Sequence, residues 1–340
     1  MGTWWLNTAP VSRRRLIFSG LLAGLLFAEL GLRLIGAAPG YRFPSFRITD
    51  DRFTGRANEE IDGNGVHYAF DENGFRRSAG LTPDDGLTVL FLGDSFTQGF
   101  GVDAEQTFPA FACARLIELG LTARCLNAGT SGFGTAHELR ILRRLLARPE
   151  LSIDAVVFQL LPNNDLRDNW EDGGFAVEEG RLVERVPPAI PWPVRLRDAL
   201  FDNDIARSSR IVSMVANATM NGVGLAPDYD ESVLELQARL LEEVVATARQ
   251  RRIPIVVVVA ATQWELQRQR TEPFDERDRL DRVAAAVSAT GVPWIDSRTV
   301  NDREDLYIPN DGHFSAAGNR RIGIAIADQL APQLRSATAP

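Results

Sequence analysis

The chain has 340 residues, 45% of them hydrophobic, and a formal net charge of -8. That is enough apolar material for one domain of about 250 residues with smaller attachments. The acidic balance excludes the basic surface that nucleic-acid binding needs. Three His and two Cys leave no Cys-rich or His-rich structural metal site, and no cofactor motif calls for one.

The first forty residues differ from the rest. Residues 1–15 form a basic N-terminus ending in Arg13, Arg14 and Arg15, and an apolar stretch follows over 16–38. At ~1.5 Å per residue such a helix crosses a hydrocarbon core roughly 30 Å thick. A cleaved signal peptide and a buried soluble helix are the competing readings. The segment exceeds the ~7–15 apolar residues of a signal h-region, and Pro39 after Ala38 is a poor setting for cleavage. An uncleaved signal-anchor is therefore expected. The basic cluster precedes the span and none follows it, which places the N-terminus inside and the body outside the cytoplasm. Glu29 and Arg33, four apart, share a helix face. They either pair with each other, the favoured reading, or meet a partner helix in the membrane.

Residues 39–86 are rich in Gly, Pro, Asn and charge, with a strand candidate near Val66–Phe70, and read as an extended lead-in. Within it, Asp71–Arg77 carries turn chemistry at Asn73-Gly74, followed by an aromatic and two cations. A surface turn is the expected reading, with the site entrance as the alternative.

The main domain is expected over 87–334, with a polar tail at 335–340. Leu87–Leu92 is a nearly unbroken apolar run, the pattern of a buried parallel strand. The spacing predicts helices over Thr107–Leu119, Thr135–Leu146, Ser232–Arg251, Arg277–Ala289 and Ala316–Leu330. Strands are expected at Ala123–Leu126, Ile153–Leu161, Ile255–Ala261 and Val292–Asp296. This alternation predicts an α/β fold, a three-layer α/β/α sandwich on a parallel sheet of about five strands. Between its elements lies an irregular insertion, 166–230, containing Trp170, Pro187, Pro188, Pro191, Trp192 and Pro193. So long a connection reads as a lid, or else as a surface for a partner or the membrane. Cys113 and Cys125 fall on a helix and the strand after it, where they either bridge or remain two buried thiols.

Four polar motifs sit where strands end, the place where ligands gather in such sheets. Gly93-Asp94-Ser95-Phe96-Thr97 follows the first buried strand, and a serine on that turn presents its hydroxyl beside free amides. Asn127 to Gly132 follows the second strand, with glycines that expose backbone N–H groups. Pro162-Asn163-Asn164-Asp165 ends the third strand with an amide able to donate to a developing oxyanion. Asp311-Gly312-His313 precedes the last helix. A serine needs an adjacent base held in one tautomer. His313 supplies the base and Asp311 the orienting carboxylate, unless Asp311 merely caps the turn. His137 is expected to make a local hydrogen bond, His67 lies in the lead-in, and Asp94 and Asp165 are expected to stabilise turns. A Gly-x-Gly-x-x-Gly turn and a P-loop Gly-Lys-Ser are absent, which excludes dinucleotide and P-loop nucleotide chemistry.

In this order and spacing the four segments resemble the SGNH hydrolases, the GDSL-like esterases and lipases, over roughly residues 87 to 331. The resemblance implies a flavodoxin-like sandwich, Ser95 as nucleophile, Gly132 and Asn164 in the oxyanion hole, and Asp311 and His313 as acid and base. The anchor and the Asn-Gly-Phe-Arg turn look like a bacterial membrane-attached subgroup. Two departures stand out: Pro162 replaces the usual Gly, and the residue three before His313 is Asn310, so the carboxylate lies only two before it. The resemblance implies ester hydrolysis through an acyl-serine, with a cell-envelope glycan or lipid ester as substrate and no cofactor or metal. O-acyl transfer to an envelope polysaccharide and a non-catalytic glycan-binding role are the alternatives. The implied location is a bacterial inner membrane, single-pass, with the domain facing the periplasm.

Overall fold

A computed structural model describes residues 13–35, 57–63, 65–77, 86–172, 174–186, 209–212, 214, 229–267, 273–309 and 311–338. The chain divides into two units: Met1–Arg42 with Ile190–Gly224, and Phe43–Ala189 with Leu225–Pro340.

In the larger unit five parallel strands form one sheet. They are β3 (Leu87–Leu92), β4 (Ala123–Asn127), β5 (Ile153–Leu160), β8 (Ile255–Val259) and β9 (Trp294–Asp296), in the spatial order β4-β3-β5-β8-β9. Their unbroken apolar character has a direct cause: both faces are covered. Leu90, Leu92, Val156, Phe158, Val257 and Val259 point to one side, into the core beneath α4 (Thr135–Leu146), α6 (Glu231–Gln250) and α8 (Glu276–Ala289). Val89, Phe91, Ala155, Val157, Val256 and Val258 point to the other, beneath α3 (Phe108–Glu118) and α10 (Ala316–Thr338). The expected three-layer sandwich is the observed one.

The chain runs from β3 to β4 on one side and then returns to β5 on the other. The order therefore reverses at β3, and a crevice opens at the carboxyl ends of β3 and β5. Helix α2 (Ser95–Gln98) begins there after β3, and α5 (Pro162–Asp172) after β5.

Several elements differ from expectation. Residues 166–172, expected to be irregular, belong to a helix that starts at Pro162, whose fixed φ fits the first helical position. Asp165 Oδ2 also reaches back to accept the Leu161 N–H at 3.0 Å. A hairpin follows, β6 (Phe175–Glu178) with β7 (Arg181–Glu184). Pro187, Pro188, Pro191, Trp192 and Pro193, on which the lid reading rests, lie outside the described residues, as do 36–38 of the expected span and 39–56, 64 and 78–85 of the lead-in. Helix α10 passes through Pro332 to Thr338, beyond the expected end at Leu330, and the buried Leu334 holds the extra turns against the core. Cys113 on α3 and Cys125 on β4 form a disulfide with Cα atoms 5.9 Å apart.

The described lead-in is a short hairpin, β1 (Glu60–Gly63) with β2 (Val66–Ala69), followed by the Asp71–Arg77 turn. That turn is not a surface feature. Phe75 and Arg76 are both buried, and the Arg76 N–H donates to Asn127 O at the end of β4.

In the smaller unit α1 (Arg13–Leu34) exposes Leu16, Phe18, Leu21, Leu25 and Phe27. Glu29 and Arg33 pair at 2.7 Å, as the four-residue spacing suggests. The Glu29 carboxylate also accepts from the Arg210 N–H at 2.9 Å, the Ile211 N–H at 3.1 Å and the Ser209 hydroxyl at 3.0 Å.

Candidate active site

The site begins with the turn that ends β3. Asp94 caps α2, its Oδ1 accepting the Phe96 N–H at 2.8 Å, so Ser95 becomes the first residue of the helix. A first helical residue has no intrahelical acceptor for its N–H, and among the described residues the Ser95 N–H has no other. Ser95 Oγ lies 2.7 Å from His313 Nε2.

His313 reaches this point from the loop before α10. Ile308 holds that loop: its N–H donates to His313 O at 2.7 Å, and its O accepts the Asp311 N–H at 3.2 Å. Gly312 between the acid and the base is left-handed, φ +89°, and a Cβ there would lie 2.6 Å from the Trp264 ring. That left-handed residue turns the chain enough for side chains only two apart to meet. Asp311 Oδ1 lies 2.5 Å from His313 Nδ1 and also accepts the His313 N–H at 3.3 Å. The carboxylate accepts only a proton-bearing Nδ1, which leaves Nε2 as acceptor and Ser95 Oγ–H as donor. Asp311, His313 and Ser95 thus form one continuous line of hydrogen bonds. Asn310 lies outside the described residues.

The two other expected site residues lie on the loop after β4 and on the first turn of α5. Gly132 ends the loop after β4. This loop is tied to the Ser95 turn by Thr130 N–H to Gly93 O at 2.9 Å and by Ser131 Oγ–H to Gln98 Oε1 at 2.5 Å. Gly132 is exposed, and among the described residues its N–H has no acceptor. Asn164 lies in the first turn of α5. Its amide nitrogen donates one N–H to Asp168 Oδ2 at 3.1 Å and carries a second. Asn169 of the same helix accepts the Ala136 N–H at 2.8 Å, fastening α5 to α4.

Beneath this side of the site lies a group of buried acids. Burial pushes the Asp94 carboxyl up, and burial together with neighbouring carboxylates pushes Glu138 and Asp165 well above the usual range. The Asp94 and Asp165 carboxylates accept the Phe96 and Leu161 N–H groups and so hold the turn after β3 and the start of α5. His137 accepts weakly from the Gly134 N–H at 3.4 Å and stacks on Phe133, and His67 pairs with Asp62; neither reaches Ser95.

Sequence reasoning missed two groups. The Phe96 and Phe100 rings each lie 4.6 Å from the His313 imidazole, and their four-residue spacing around the serine turn was the available signal. Arg76 and Tyr68, from the lead-in, contact the segment after α2. The signal there was the aromatic and two cations that follow the Asn73-Gly74 turn, which the surface reading set aside in favour of solvent exposure.

A family model for the GDSL-like lipase/acylhydrolase family matches residues 91–321. A search of curated proteins finds no match. Among solved structures the chain is similar to TesA, at 18% identity and TM-score 0.41, covering 73% of this chain and 98% of that one. It is also similar to the lipase/acylhydrolase from Enterococcus faecalis, at 12% identity and TM-score 0.44, covering 73% and 96%. A third is the psychrotrophic esterase EstA from Pseudoalteromonas sp., at 13% identity and TM-score 0.42, covering 73% and 98%.

Proposed function

The chain belongs to the GDSL-like lipase/acylhydrolase family and is a serine hydrolase acting on ester bonds; from that premise we propose that Ser95 is its nucleophile, His313 its base and Asp311 the group that orients the base. The observation that carries this reading is the continuous hydrogen-bonded line from Asp311 through His313 to Ser95.

As Ser95 Oγ attacks the ester carbonyl, its proton passes to His313 Nε2, while Nδ1–H stays on Asp311. The carbonyl oxygen gains charge where the Ser95 and Gly132 N–H groups and the second Asn164 N–H are offered. Each such donor supplies about 3–4 kcal/mol when preorganised away from water. The imidazolium then protonates the departing alkoxide, leaving an acyl-Ser95. Water activated by the same His313 releases the acid and restores the serine.

The substrate we propose is an O-acyl ester of a cell-envelope glycan or lipid, with α1 as a single-pass anchor and the catalytic domain on the periplasmic side of a bacterial inner membrane. Three features support the location. Helix α1 has 22 residues, about 33 Å at ~1.5 Å per residue. Its large apolar side chains are exposed, and Arg14 and Arg15 stand at its start. The Cys113–Cys125 disulfide suits an oxidising compartment. Within the chain, Arg33 and residues 209–211 already satisfy Glu29, so a separate partner helix is not required.

Ser95→Ala is expected to abolish turnover of an aryl acetate and covalent capture of a fluorophosphonate at residue 95, read by peptide mass. Undiminished turnover would overturn the assignment. Product analysis with water and a sugar acceptor supplied together separates hydrolysis from acyl transfer, since both pass through the same acyl-serine.

A further inference from the structure

Arg76 is a buried cation that Asp103 and Glu105 favour only at a distance. It is 3% exposed, and among the described residues no acid forms an ion pair with it. Burial lowers its pKa to about 10, so it stays charged at neutral pH. Three backbone carbonyls surround it: Nη1 donates to Gln98 O and Gly99 O, both at 2.6 Å, and Nη2 to Val102 O at 2.7 Å. The guanidinium also lies 4.4 Å from the centre of the Tyr68 ring, a cation–π contact that strengthens when desolvated. Taking a charge out of water costs several kcal/mol. Here it is offset by dipoles drawn from one short segment, Gln98–Val102.

That segment connects to both reacting side chains. The Gly99 N–H and the Phe100 N–H donate to Ser95 O at 3.0 and 2.9 Å, closing the helix that carries the nucleophile. The Phe100 ring lies against His313. Tyr68 Oη accepts the Gly101 N–H at 2.9 Å, so two lead-in side chains hold the same five residues. Gly99 is left-handed, φ +82°, and a Cβ there would stand 2.9 Å from Arg76 Nη1. The nearer obstacle to that Cβ is Thr107 Cγ2 at 2.3 Å, so the bare glycine lets both Thr107 and the guanidinium approach the backbone.

We infer that Arg76, supported by Tyr68, is a positioning residue: it fixes Gln98–Val102 so that the Ser95 carbonyl and the Phe100 ring hold nucleophile and imidazole in register. The inference rests on the reading of Ser95 and His313 as nucleophile and base. It also makes the lead-in part of the catalytic apparatus as well as the link between α1 and the domain.

The test uses the full-length protein in detergent, with kcat counted per serine titrated to completion by a fluorophosphonate. Arg76→Met is expected to lower kcat about 100-fold, the order of loss that a ~1 Å misplacement of reacting groups produces. KM is expected to stay within about threefold, the mark of a defect in the transition state and not in binding. Arg76→Lys keeps the charge but not the planar fork, and should fall between the two. A purely structural Arg76 would instead lower Tm and leave kcat per titrated serine unchanged, which overturns the inference. Should Arg76→Met fail to fold, Tyr68→Phe and Phe100→Leu decide: unchanged kcat in both overturns it, and a drop at constant KM supports it. Ser95→Ala separates the two levels. An active Ser95→Ala removes the underlying reading and this inference together. An inactive one beside fully active Arg76 and Tyr68 variants removes only this inference.

Discussion

Replacing Asp311 with asparagine deletes a charge and keeps a shape. In the native protein one oxygen, Oδ1, accepts from the His313 ring at 2.5 Å and from its backbone N–H at 3.3 Å. Asparagine retains an Oδ1 for both, so the imidazole keeps its place while its counter-charge disappears. When Ser95 surrenders its proton, the imidazolium and the Asp311 carboxylate stand about 4 Å apart between charge centres, worth ~4 kcal/mol at an effective dielectric near 20. Both side chains are partly open to solvent, 24% and 16%, and screening reduces that figure to ~2–4 kcal/mol. The expected loss in kcat/KM is therefore about 30- to 1000-fold. An asparagine that turned its NH2 toward Nδ1 would select the tautomer that cannot accept the serine proton, which pushes the rate the same way. The assay is aryl acetate hydrolysis at neutral pH, normalised to phosphonate-titrated sites. A variant within about threefold of wild type, a loss of under ~1 kcal/mol against the ~2–4 kcal/mol expected, would refute the role given to Asp311.

Other perturbations address different parts of the molecule. Asn164→Ala is expected to lower kcat by about 10²–10³ with little change in KM; steady-state kinetics that show a KM effect alone would remove it from the oxyanion hole. Burial pushes the Glu265 carboxyl from 4.5 to about 7. Below pH 4.5 both folded and unfolded chains hold its proton; as pH rises toward 7 the unfolded chain ionises first. Stability is therefore lost across that window, ~3 kcal/mol in total. Glu265→Gln should raise Tm at pH 8 and leave it unchanged near pH 4, and an equal shift at both values would contradict the assignment. The paired change Cys113→Ala with Cys125→Ala opens a link of sequence separation 12 and should cost about 3 kcal/mol. Denaturant melts should show a reductant producing a similar loss in the native protein and none in the double variant.

The sandwich was legible because its strands are buried on both faces and its helices on one. The runs Leu87–Leu92 and Ile255–Val259 have few other uses in an α/β chain. Where expectation and structure diverge, a local polar signal met a tertiary one. Pro162 to Asp165 has the composition of a turn, yet Pro162 and the Asp165 carboxylate start a helix. Pro332 reads as a stop, yet burial of Leu334 carries the helix past it. Ser95, Asp311 and His313 were identifiable because each sits on a turn whose residue types constrain the chemistry, and the geometry brings the three together. Arg76 was not, because nothing local announces that three carbonyls from residues 98, 99 and 102 will gather around one guanidinium. The cysteine pair stayed open for a similar reason: side-chain direction depends on how α3 packs beside β4.

His313 and Ser95 are 218 residues apart, which has a consequence for the protein's biosynthesis. Ser95 and its capping acid are synthesised early and can settle on β3 as soon as the neighbouring strands arrive. His313 comes after the last strand, and its loop takes its place only as α10 packs along α3. With Ser95 and His313 as proposed, an unfinished chain ending before that loop carries the serine without the base that would take its proton. On that reading activity is reserved for the chain that has reached its C-terminal helix.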